Sequence, residues 1–143
     1  MTAGSDDVRV EVVGVYEQEL IVGEHERRIP VVLLRDPGER NARVPIGSCE
    51  AFAIQLALED HVVPRPLTHD LALRLLDRLS AKLERVVVDE LSESHMHATL
   101  YLQCSEGEIA MDARPGDAIA LALRADAPVF VREDILEGGA ESR

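Results

Sequence analysis

Asp112, Arg114 and Asp117 fall within six residues of one another in the stretch DARPGD, where a long apolar run is about to begin. Two carboxylates so placed suit a hard divalent cation such as Mg²⁺ or Mn²⁺, which takes oxygen ligands and polarises a phosphate. The arginine between them suits a phosphate oxygen. The same residues also have a plainer meaning. Asp117 is an acidic side chain in a first helical turn, where the helix dipole favours it, and Arg114 is its ion-pair partner. His69 and Asp70 open a second helical stretch. A histidine titrates near neutrality and serves as general acid or base. Asp70 is either one more carboxylate for a cation or a helix-start residue paired with Arg74 at i+4. Glu50, at the head of another apolar segment, is a third cation ligand or again a complement to the dipole.

The only basic band is Arg74, Arg78 and Lys82, spaced every four residues, with Arg85 close behind. Such a stripe aligns a phosphate backbone, or is an ordinary solvated face. Its role matters because the chain carries a net charge of −12 and a pI near 4.7, which repels nucleic acid unless cations cluster locally. Three or four phosphate contacts give weak, salt-sensitive binding. His95 and His97 share one strand face, and an i,i+2 pair can ligate a metal, but no third ligand stands nearby. No glycine-rich phosphate loop, nucleophile elbow or CxxC pair is present, and the few aromatics do not make a base-stacking platform.

The elements that must position these groups follow from periodicity. VRVEVV (8–13) alternates and reads as a strand, with Gly14 allowing a bulge. IPVVLLRD (29–36) reads as a buried strand closed by the Asp36-Pro37-Gly38 turn. RVPIG is a short edge strand. CEAFAIQLALED (49–60) is apolar nearly all round and reads as a buried helix started at Gly47 or Ser48. Thr68 is the expected N-cap of a helix over 69–82, with Leu71, Leu75 and Leu79 as its inner stripe and Ala72 and Leu76 beside them. A strand over 84–91 precedes a hairpin over 95–113. A Glu106-Gly107 turn sets Cys104 against Ile109, Leu102 against Met111 and Tyr101 against Asp112. Pro115 suits the first turn of a helix over 115–125. PVFV (128–131) is a last strand, and REDILE a terminal helical turn. Cys49 and Cys104 read as buried free thiols.

Two blocks, RPLTHDL (65–71) and DARPGDAIALALR (112–124), with PVVLL (30–34) upstream and APVFV (127–131) downstream, resemble the bifunctional nuclease domain family. The resemblance spans about residues 8–137. It implies a compact α+β fold, a homo-oligomer and nuclease activity on DNA and RNA. Three departures surround the implied site. Gly116 stands where the family motif carries serine, the segment RVPIGSCEA is shortened and lacks a tryptophan, and Met96-His97 replaces an aromatic pair.

The expectation is therefore a single α+β domain over 8–137, with a mixed or antiparallel sheet, buried Ala/Leu-rich helices and polar tails at 1–7 and 138–143. No apolar run approaches the ~20 residues of a membrane span, and MTAGSDD is not a signal peptide, which points to the cytoplasm. On the nuclease reading, Asp112 and Asp117, with Asp70 or Glu50, hold Mg²⁺ or Mn²⁺. His69 then moves a proton, and Arg114 with the basic stripe seats the substrate. The competing reading is a non-catalytic, oligomeric binding module.

Overall fold

The computed structural model describes residues 6–92 and 95–138, so the outer parts of both expected tails, 1–5 and 139–143, lie outside the described residues. The strands are β1 (Asp7–Val22), β2 (His25–Arg35), β3 (Arg40–Pro45), β4 (Lys82–Ser92), β5 (His95–Cys104), β6 (Gly107–Ala113), β7 (Val129–Arg132) and β8 (Glu137–Gly138). The helices are α1 (Ser48–Leu58), α2 (Thr68–Arg78) and α3 (Pro115–Ala125), and the expected terminal turn is a 3₁₀ turn, Glu133–Ile135. All described strands join one sheet in the order β6-β5-β4-β7-β1-β2-β3-β8. Only β4 and β7 run parallel; every other pair is antiparallel. The expected mixed α+β architecture is thus the one observed.

One face of the sheet is the core. Val86 and Val88 of β4, Ala98 and Leu100 of β5, Val131 of β7 and Val32 and Leu34 of β2 alternate inward beneath the helices. Helix α3 lies at the centre, packed against α1, α2, β4 and β5. Ala118, Ala120 and Ala122 are fully buried along it, so small side chains alternate with Ile119 and Leu121 where it packs against its neighbours. Each Val, Leu or Ile buried here contributes about 1.5–3 kcal/mol.

The long first strand keeps the expected irregularity, since its register with β2 shifts between Val12 and Gly14. Its outer half, Glu17–Val22, is exposed together with the facing half of β2, including Ile21 at the tip. An arm wet on both faces has no alternation to read.

Three expectations are corrected. Helix α2 turns Ala72, Leu73 and Leu76 toward the core and leaves Leu71, Leu75 and Leu79 exposed. Helix α1 buries only Glu50, Ala53 and Ile54, while Phe52 and Cys49 are exposed; Cys104 is half-buried, and both thiols are free. In the second hairpin Leu102 faces Ile109, Leu100 faces Met111 and Thr99 faces Asp112. That is two residues away from the expected register, on the same faces. The positive-φ glycine, Gly107 at φ +117°, follows the turn pair Ser105-Glu106 instead of sitting within it, and pairs with Cys104 as the first residue of β6.

Candidate functional site

The starts of the three helices meet at one corner of the core. Strand β6 ends at Ala113, Arg114 takes the extended conformation of an N-cap, and Pro115 fills the first helical position, where its missing N–H costs nothing. This places Asp117 in the first turn of α3, and it places His69, 48 residues earlier, on the first turn of α2. His69 Nε2 lies 2.9 Å from Asp117 Oδ1. An ionised carboxylate only accepts, so Nε2 donates and Nδ1 is left as the basic nitrogen of the ring. The second Asp117 oxygen faces Arg114, whose Nε and Nη2 each stand 3.4 Å away. Arg114 Nη2 also reaches within 3.7 Å of Glu50 Oε1 on α1. The result is a run of alternating charge, His69–Asp117–Arg114–Glu50, built from three helix starts. Its members differ in solvent access: the His69 side chain is 13% exposed and Glu50 9%, but Arg114 is 76% exposed.

Glu50 is held by two glycines. A Cβ on Gly47 would crowd Glu50 Oε2, and one on Gly116 would lie 2.7 Å from Glu50 Cβ and 2.9 Å from its Cγ. Gly116 must be bare for α1 and α3 to close here, because the stem of Glu50 stands in the way, whereas at Gly47 only the carboxylate end of Glu50 would have to swing aside. Gly116 therefore does more than drop the hydroxyl of the family serine; it admits Glu50. Beside Glu50 opens a cleft of about 380 Å³. Its walls are the ends of β2 and β3, the β3–α1 and β6–α3 corners and the first residues of β5, with Ile46, Met96 and Pro115 among its apolar lining and His95 and Arg114 at polar positions.

The other expected site residues go elsewhere. Asp70 does not pair with Arg74. Its Oδ2 accepts the Leu67 N–H at 3.0 Å, which makes Leu67 and not Thr68 the N-cap of α2, and its Oδ1 accepts Arg124 Nε at 3.0 Å. Arg124 also donates to the carbonyls of Ala53 and Ala120, each at 3.0 Å, and so ties all three helices together. Sequence reading passed over Arg124; its one signal is a charge closing the Ala/Leu run. Asp112 is exposed on edge strand β6, opposite Thr99. Arg74, Arg78 and Lys82 are exposed, but α2 ends at Arg78 and Lys82 opens β4, so only the first two share a helix face and the expected helix over 69–82 is shorter. Arg85 does not extend their stripe: it is buried on the sheet face away from the helices, 3.0 Å from Glu108 Oε2 and 3.8 Å above the centre of the Tyr101 ring. His97 faces Asp89 across the β4–β5 pair.

This arrangement does not fit a resident Mg²⁺ or Mn²⁺. Among the described residues no three His, Cys, Asp or Glu side chains are gathered so that they hold a metal ion. Both oxygens of Asp117 and of Asp70 already meet cationic or N–H partners. What the corner can do by itself is orient an imidazole and present an exposed guanidinium beside it.

The family model for the bifunctional nuclease domain matches residues 31–142. Uncharacterized protein Rv1829 of Mycobacterium tuberculosis (strain ATCC 25618 / H37Rv) is 39% identical over 114 residues, covering 79% of this chain and 68% of the relative. Uncharacterized protein MT1877 of Mycobacterium tuberculosis (strain CDC 1551 / Oshkosh) matches to the same extent. Among the described residues no helix is long and apolar enough to cross a membrane.

Proposed function

The chain belongs to the bifunctional nuclease domain family, and from that premise we propose that it hydrolyses phosphodiester bonds in DNA, RNA or both. The observation that carries this reading is the 2.9 Å contact between His69 and Asp117, with Arg114 next to it. Asp117 fixes the ring and its tautomer, so His69 Nδ1 accepts the proton of an attacking water or hydroxyl. The new P–O bond forms as the bond to the leaving oxygen breaks, and the imidazolium returns the proton to that oxygen. Arg114, largely exposed and held only at 3.4 Å and beyond, leaves its neighbours to bind a non-bridging phosphate oxygen as charge accumulates there. Arg74, Arg78 and Lys82 give the strand a cationic track across an acidic protein, with weak and strongly salt-dependent affinity.

The test is cleavage of supercoiled plasmid and of single-stranded RNA, with and without EDTA. His69→Ala is expected to lose about 10²-fold or more in rate, the usual contribution of a positioned acid–base group, and Asp117→Asn to lose a comparable amount. Unchanged cleavage by both variants would assign the activity to a contaminant. A loss of similar size in Asp112→Asn would restore a role for that carboxylate. EDTA sensitivity would call for a cation that the apo corner does not prefigure.

A non-catalytic oligomeric module is the second reading, favoured by one observation. Leu71, Leu75 and Leu79 form an exposed apolar row on α2 beside the basic one. A row of this kind suits contact with another copy better than contact with water.

A further inference from the structure

Glu50 is more than nine-tenths buried, yet its only partner among the described residues is Arg114 Nη2 at 3.7 Å, beyond hydrogen-bond distance. A carboxylate has about four acceptor sites, and these oxygens, which line the cleft and meet no hydrogen-bond donor among the described residues, stay open to whatever enters it. Close packing of its stem on Gly116 sets this side chain beside the cleft. The cleft is walled by Ile46, Met96 and Pro115, is of the size that takes a small planar ligand, and has Arg114 at its polar side. An apolar slot with a carboxylate inside and a guanidinium beside it poses a definite question: which part of a nucleic acid offers two parallel N–H donors on a flat ring, with a phosphate attached?

We propose that the cleft is a guanine-recognition pocket, in which Glu50 accepts the N1–H and N2–H of a guanine and Arg114 takes the attached phosphate. The other bases fail on the same chemistry. Adenine and cytosine each present one amino group beside a ring lone pair, which points at the second carboxylate oxygen. Uracil presents a single N–H flanked by two carbonyls. Sites built around donors and acceptors reject ligands lacking them strongly, because the buried group is then left unpaired. The inference rests on the nuclease reading for its choice of ligand, and it makes guanine the preferred base next to the scissile bond.

Binding is tested apart from cleavage. By titration calorimetry on the full chain, GMP is expected to bind at least 10-fold more tightly than AMP, CMP or UMP. Glu50→Gln, which keeps the shape but replaces one acceptor with a donor, should remove that preference. Arg114→Ala should weaken GMP while leaving guanosine nearly unchanged. If Glu50→Gln does not fold, amide shift mapping on the wild type decides: GMP must perturb Ile46, Gly47, Met96 and Gly116. Equal binding of the four nucleotides, no binding, shifts confined to other residues, or tighter binding of methylguanidinium than of GMP would each overturn the proposal. Cleavage without base preference sinks this pocket and spares the nuclease; selective GMP binding without cleavage does the reverse.

Discussion

Replacing Gly116 with alanine tests the packing that creates the corner. The added Cβ would lie 2.7 Å from Glu50 Cβ, 2.9 Å from Glu50 Cγ and 3.1 Å from Ile46 Cγ2. Carbon atoms pack best at about 3.5–4.0 Å, so the worst contact is short by about 0.8 Å. The obstructing atoms are the stem of Glu50, fixed to the α1 backbone, so no simple swing of a chain end relieves them. Either α1 or α3 must move, and overpacking of this kind costs about 1–3 kcal/mol. Against it stands the helix preference of alanine over glycine, up to about 1 kcal/mol in a helix interior and less in the first turn. The steric cost wins, leaving a net loss of about 1–2 kcal/mol. Urea unfolding should show it as a lower midpoint with an unchanged slope, and thermal unfolding as a fall of about 3–6 °C. Serine, the residue of the family motif, should cost as much. In a Glu50→Gly background the two shortest contacts are gone and only Ile46 Cγ2 at 3.1 Å remains, so Gly116→Ala should cost at least about 1 kcal/mol less than in the parent. A single Gly116→Ala variant as stable as the parent would refute the packing argument.

Two further outcomes are expected from stability measurements. Leu75→Ala should change unfolding free energy by less than about 0.5 kcal/mol because the side chain is exposed, whereas Leu76→Ala should cost about 2 kcal/mol. If the oligomeric reading holds, Leu75→Ala should instead shift the sedimentation profile toward monomer. Asp36 supplies the pH test. Its burial pushes the carboxyl upward, but hydrogen bonds from the Arg40 N–H and guanidinium, each 2.8 Å, outweigh that and hold it below its ordinary value. A carboxyl lowered in the folded state contributes fully above its unfolded pKa of about 3.9 and loses that contribution as pH falls through the folded value. The melting temperature should therefore drop on acidification below about pH 4, with a shallower drop in Asp36→Asn; an identical acid profile in the two proteins would contradict this.

The sheet was legible wherever one face of a strand is wet and the other dry. The alternation in β5 fixed its faces even though the turn placed the register two residues off, because a shift of two preserves parity. Helix α2 misled because its leucines occupy two adjacent rows. Leu71, Leu75 and Leu79 make the more regular row, yet the smaller Ala72 lets the row containing Leu73 and Leu76 come closer to α3. Composition does not say which row is dry. At the candidate site, Asp117, Arg114 and His69 were found from the motif that carries them, and their contact depends on two helix starts 48 residues apart meeting in space. Glu50 was visible only as a first-turn acid. Its burial depends on bare backbone at Gly116 on another helix, a relation between distant residues that no local pattern records.

Strand β7 holds the middle of the sheet, between β4 and β1, although it is among the last segments in chain order. The β1–β2–β3 and β4–β5–β6 groups each form from neighbouring segments, but within the sheet they meet only through residues 129–132. A single continuous sheet therefore closes only once this four-residue seam, made near the end of the chain, is in place.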